Sequence, residues 1–168
     1  CFHVKNLKEI SKTKGDTEKI LQRAIDFAED NNAMTYENQD YLFFVFAPLK
    51  TKTFRNESTA MKVAQQIRTS LMEQNRLFKQ KINFGISINN GQAIMKKEGD
   101  FTRFASLGTF IGNCKRLASF GEEITFSREI EEALKTEIKA EQSGADAYKI
   151  GEIKKYRTSE NKKFIDEL

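Results

Sequence analysis

The run Tyr41-Leu42-Phe43-Phe44-Val45-Phe46-Ala47 constrains this chain most. A strand with one wet face alternates apolar and polar residues, and this run does not. It therefore reads as a central strand buried on both faces, which demands a layer of structure on each side of its sheet. Pro48, the only proline, ends it. Ala33 to Asn38, AMTYEN, reads as a preceding strand, and Gln39-Asp40 is the right length for a hairpin turn between the two.

The flanking segments carry helical spacing. Asp16 is placed to cap a helix to about Glu29, with Ile20, Leu21, Ala24, Ile25 and Ala28 on one face. Asn31-Asn32 stops it, since Asn tolerates the left-handed conformation. Ser58 is placed to cap a long helix to about Phe78, with Met61, Ala64, Ile67, Leu71 and Phe78 inward. Cys1–Lys5 and Lys81–Asn89 read as strands. Asn90-Gly91 is a strong turn signal, and Gln92 to Lys96 is the returning strand. Lys97 to Asp100 is polar and projects. Gly108 to Phe120 and a segment capped by Ser127 to about Leu134 read as helices, and further strands turn at Ser143–Asp146. The order β-α-β-β-α-β with C-terminal α and β pieces predicts an α+β fold with a ferredoxin-like core.

A chain of 168 residues suits one domain over residues 1–168. Its 28 basic and 24 acidic residues are interleaved, so the net charge of +4 describes a mixed, solvated surface. No RGG, zinc-knuckle or stacked-aromatic pattern points to nucleic acid. No apolar run approaches the length of a membrane span. Cys1 and Cys114 stand in no metal-ligand spacing and read as reduced thiols of a cytoplasmic protein. The chain lacks an initiator Met and starts inside a strand, so it is expected to be a fragment of a longer polypeptide.

Lys81 to Leu134 reads KINFGISINNGQAI, a connector, then SLGTFIGNCKRLASFGEEITFSREIEEAL. This resembles the second half of a class III adenylate/guanylate (nucleotidyl) cyclase catalytic domain. Gly85, Ile88, Asn89 and Gly91 match that family's "GIGINTG" block. Gly108, Arg116 and Leu117 match "VIGDTVNLAARL", and Gly121, Glu123, Ile124 and Ser127 match "GEILVS" and its helix. The resemblance implies a cyclase fold, a dimer with another cyclase-type domain (homodimer or heterodimer), ATP or GTP as ligand, and Mg²⁺ or Mn²⁺ where nucleotide binds.

The same resemblance places the chemistry. Two aspartates hold the metal ions of the family. The first position falls on His3, and the second falls on Asp40, six residues before Phe46. An imidazole brings no negative charge to a hard magnesium ion, which prefers oxygen. The base-reading lysine is Tyr36 here and its aspartate partner is Thr109, whose hydroxyl can still bond a purine. The ribose asparagine is Gly112, with Asn113 one step on. Arg116 matches the transition-state arginine, and Lys149 and Lys154 are candidates for the phosphate lysine. Losing one such group costs about 10² to 10³ in rate, and the rest of a constellation does not repair the loss.

The reading that follows is a degenerate cyclase homology domain acting as a dimerisation, nucleotide-binding or regulatory module in signalling. Two alternatives are an active half of a heterodimeric cyclase and a diverged diguanylate-cyclase-type domain. The latter's "GGDEF" hairpin would fall on Asn38–Leu42, where only Asp40 matches. A pairing face is expected on the Ala93–Ser106 hairpin and the Gly108–Phe120 helix.

Overall fold

A computed structural model of the chain describes residues 1–12, 17–99, 101–106 and 109–154. The expected cap Asp16, the turn residue Asp100 and the motif glycine Gly108 lie outside these residues. Strand β1 (Phe2–Val4), helices α1 (Leu7–Ile10) and α2 (Thr17–Glu29), and strands β2 (Met34–Asn38) and β3 (Tyr41–Val45) come first. Helices α3 (Pro48–Thr51) and α4 (Asn56–Leu77) then lead to β4 (Phe84–Ile88). Together β1-α2-β2-β3-α4-β4 is the expected βαββαβ core.

The extension adds β5 (Ile94–Glu98), β6 (Phe101–Ser106), α5 (Phe110–Ala118), β7 (Ile124–Phe126), α6 (Arg128–Leu134), β8 (Ile138–Gly144) and β9 (Ala147–Ile153). The main sheet runs β2-β3-β1-β4-β7-β9-β8, antiparallel except where β7 lies parallel to β4.

Period two sorts the two faces of the sheet. Phe84, Ile86 and Ile88 of β4 join Ile124 and Phe126 of β7 in a core with Ala24, Ala28, Met61, Ala64, Ile67 and Leu71 of α2 and α4. On the opposite face, Gly85 and Ser87 meet α5. A Cβ on Gly85 would stand 1.7 Å from the Ala118 carbonyl oxygen, so only glycine lets this helix lie so close. Ser87 Oγ donates to Cys114 O at 2.7 Å, and Thr125 Oγ1 donates to Leu117 O at 2.6 Å. These bonds satisfy hydroxyls that are buried beneath the helix.

Several expectations change. The apolar run at β3 is not central: it lies second from the edge and is mostly half-buried, while β4 is buried at every residue. Apolar content marked burial, but the order of strands decided who lies in the middle. The strand after Asn90-Gly91 does not return along β4. It pairs instead with β6 in a separate two-stranded sheet, because both neighbours of β4 are already taken by β1 and β7. Helix α4 starts two residues before Ser58, whose hydroxyl donates to Glu137 Oε1 at 2.6 Å rather than capping. Phe78 closes that helix and is exposed. Asn32 takes the left-handed conformation expected of a helix stop, with φ of 59°.

Candidate functional site

The β2–β3 turn holds Asp40, the anticipated metal position, together with its neighbours. Gln39 turns the chain with φ of 58°, and the amide of Val4 donates to Asp40 O at 2.9 Å, which fixes β1 against the turn. His3 pairs across strands with Tyr41, so both side chains stand on one face. Their rings stack at 4.1 Å and 14°. His3 Nε2 lies 3.0 Å from Asp40 Oδ2. A carboxylate only accepts, so Nε2 carries the proton of this bond. The other ring nitrogen, Nδ1, is buried without a hydrogen-bond partner.

Helix α5 reaches the same turn. Lys115 Nζ donates to Asn38 Oδ1 at 2.7 Å and lies 4.6 Å over the Tyr41 ring. This is a cation–π contact that ties α5 to the hairpin. Burial, and then the charge of Asp40, push the Tyr41 phenol above its ordinary range. Tyr36, on edge strand β2, stands beside Phe43 on this face with its ring 6.2 Å away, and is exposed.

The remaining anticipated residues spread along the sheet. Thr109 occupies the N-cap position of α5, exposed and making no capping bond through its side chain. Gly112 and Asn113 are exposed on the helix, with open space around Gly112. Arg116 is exposed, and no ion pair or side-chain hydrogen bond holds it among the described residues.

Lys149 pairs with Thr125 across β7 and β9, on the face that α5 covers, and contacts Glu123 at 3.5 Å and Glu141 at 3.8 Å. Lys154 Nζ donates to Lys135 O at 2.5 Å beyond the end of α6. The structure thus joins Asp40 to His3, and the two lysines to partners of their own. Sequence reading passed over Lys115, Asn38 and the His3–Asp40 bond itself. The antiparallel pairing of β1 with β3 was the signal that could have found the last.

Among the described residues no three His, Cys, Asp or Glu side chains gather as a metal cluster. The donors at the turn are one imidazole and one carboxylate, a set that does not suit magnesium. A larger cavity of about 510 Å³ opens at the end of the sheet between β3 and β4. Its walls are mainly apolar, with Phe43, Phe46, Phe54 and Phe110 among them. Cys1 and Cys114 also line it as free thiols, and burial pushes the Cys114 thiol above its ordinary range. No helix among the described residues is long and apolar enough to cross a membrane.

Comparison with known proteins gives the fold a name. No protein-family model and no curated protein matches the sequence. Solved structures do match. A non-canonical dimeric guanylyl cyclase domain of the RhoGC fusion protein from the aquatic fungus Blastocladiella emersonii superposes with TM-score 0.69 at 15% identity, over 91% of this chain and 94% of that one. The guanylate cyclase domain of RhGC from Catenaria anguillulae, in complex with GTP, gives 0.67 at 17%, over 91% and 94%. The adenylyl cyclase CyaB from P. aeruginosa gives 0.64 at 15%, over 93% and 92%. The chain has the fold of class III cyclase catalytic domains.

Proposed function

We propose that this chain is a degenerate cyclase homology domain: a module that pairs with another domain of the same fold and binds ATP or GTP without making a cyclic nucleotide. The His3–Asp40 hydrogen bond of 3.0 Å carries the reading. Phosphoryl transfer is catalysed mainly by positioning and by neutralising charge, which in this fold falls to a divalent ion between two carboxylates. Here one of those positions holds an imidazole bonded to the remaining carboxylate. The altered base-reading position Tyr36 and ribose position Gly112 point the same way.

Binding outlives catalysis in this reading. Arg116 is exposed and unpaired among the described residues, and Thr109, at the N-cap of the same helix about two turns away, is exposed with no capping bond through its side chain. A triphosphate would meet Arg116 through charge-assisted hydrogen bonds. Solved domains of this fold include a dimeric one and one bound to GTP, which supports pairing and nucleotide binding as the retained functions. Exposed Ile94 on β5 and Phe120 beyond α5 offer apolar contact on the face expected to pair.

The test is turnover. Incubation with ATP or GTP and Mg²⁺ or Mn²⁺ is expected to yield no cyclic product above an Asp40→Ala control. Product well above that control would sink the reading. Titration calorimetry with GTP is expected to show binding that Arg116→Ala weakens, and equal affinity in both would remove Arg116 from the site.

A further inference from the structure

The cavity between β3 and β4 belongs to the sheet itself. Strand order puts β1 between these two, yet β1 spans three residues where each neighbour spans five. Past Cys1 the neighbours run on side by side, and the gap that separates them is the cavity of about 510 Å³. We propose that this cavity is a slot for a further length of extended polypeptide, collinear with β1, joined to it at Cys1 and apolar on both faces. None of Asp40, Thr109, Arg116, Lys149 and Lys154 lines it, so the proposal stands apart from the nucleotide reading.

The first argument is hydrogen bonding. Cys1 and Ser87 exchange both main-chain bonds, each 2.8 Å long. In an antiparallel pair such exchanges fall on every second residue, so the next one on β4 falls on Asn89. Ile88 turns its carbonyl the other way and accepts from Ser127 N at 3.2 Å. On β3 the bond from Val4 N to Asp40 O marks the same alternation, which runs through Leu42 to Phe44. The main-chain N–H and C=O of Phe44 and Asn89 therefore face the cavity from its two sides. Main-chain groups aimed into an apolar space need partners, and one strand between these walls supplies both.

The second argument is the chemistry at Cys1. Its ammonium is buried against Ser87 O, and burial pushes its pKa below the ordinary 8.0. A peptide N–H in the same place makes the same bond and carries no charge to desolvate.

The third is the lining. Continuing the pairing of β1, the three positions ahead of Cys1 fall opposite Phe44, Val45 and Phe46 on β3 and Ile88, Asn89 and Asn90 on β4. Side chains alternate across a sheet. Those on the side of Phe2 meet Ala64, Ile67 and Ile130, and the one on the side of Cys1 meets Phe110. With both walls apolar, the strand that fits is an apolar run rather than an alternating one.

The experiment compares the 168-residue chain with two forms that carry three residues directly ahead of Cys1: three valines, or valine-proline-valine. Circular dichroism checks the folding of each. In the 168-residue chain the amides of Phe44 and Asn89 are expected to exchange with deuterium faster than that of Ser87. The three valines should slow both by about 10-fold or more and raise the denaturant midpoint. They should also displace anilinonaphthalene sulfonate, an apolar dye expected to fluoresce in the open cavity. A central proline removes the donor for the Asn89 carbonyl and should leave the Asn89 amide unprotected.

Exchange unchanged by the three valines, equal protection by the proline form, or protection of both amides already in the 168-residue chain would each overturn the proposal. The last comparison needs no extended form, so it decides even where an extension prevents folding. Dye bound equally by all three forms would make the cavity a small-molecule site and overturn it as well. Turnover of ATP or GTP bears on none of these readings, so the proposed function fails or stands separately.

Discussion

Gly85 and Asp40 belong to the same seven-stranded sheet and live under different constraints. Around Gly85 everything is backbone or buried side chain: the Ala118 carbonyl presses on its Cα, and Ser87 and Thr125 spend their hydroxyls on α5. Around Asp40, besides the backbone bond from Val4, side chain meets side chain on a turn, joining His3, Tyr41, Asn38 and Lys115 at the edge of solvent. Close packing of a helix on a sheet admits few substitutes, whereas a turn tolerates many. A chain can therefore keep the β4–α5–β7 framework of a cyclase fold while the side chains at the β2–β3 turn change.

The sharpest way to break the comparison is Gly85→Ala. With no room between β4 and α5, destabilisation of about 3 kcal/mol or more is expected in denaturant unfolding. A loss below 1 kcal/mol would mean the framework is looser than the 1.7 Å approach requires. Thr125→Val comes next. It leaves the Leu117 carbonyl without its hydroxyl partner under the helix, at a cost of about 1 to 2 kcal/mol by the same measurement.

Cys114 tests the framework through pH. Burial holds its thiol above the ordinary value of 9.0, so the folded chain keeps a proton that the unfolded chain releases. Stability from this group is complete below that value and falls as pH rises through the folded one. Unfolding midpoints are expected to drop between pH 8 and pH 10 in the wild type, and to drop less in Cys114→Ala. Equal slopes would place the thiol in water.

The turn should be far more tolerant. Asp40→Ala removes a half-exposed partner of His3, and a stability change within about 1 kcal/mol is expected. Smallest of all is Arg116→Ala, within about 0.5 kcal/mol, because nothing described holds that side chain. A large loss at Asp40 would show that the turn is structural after all, and one at Arg116 would show the same of that helix position.

Much of this pattern was legible in the chain. Helical spacing found α2 and α4, and Met61, Ala64, Ile67 and Leu71 are buried as their period required. The glycine, isoleucine and asparagine blocks around β4 resembled a cyclase domain, and the fold agrees. These signals are local: a face of a helix or the pleat of a strand is written in residues a few positions apart. Asp40 was legible as a turn residue with chemical capacity, and Arg116 as a helix residue projecting to one side, free for phosphate or held by a structural partner.

The sequence by itself determined the order β-α-β-β-α-β, the inward faces of the long helices and the turn at Gln39-Asp40. Only the tertiary structure decided that β4 rather than β3 is the buried centre, and that β5 pairs with β6. It also brought His3 to Asp40 across 37 positions and carried Lys115 over the Tyr41 ring to Asn38. The physical reason is that strand order and register are set by which edges remain free once the sheet assembles. No local propensity or period encodes that choice.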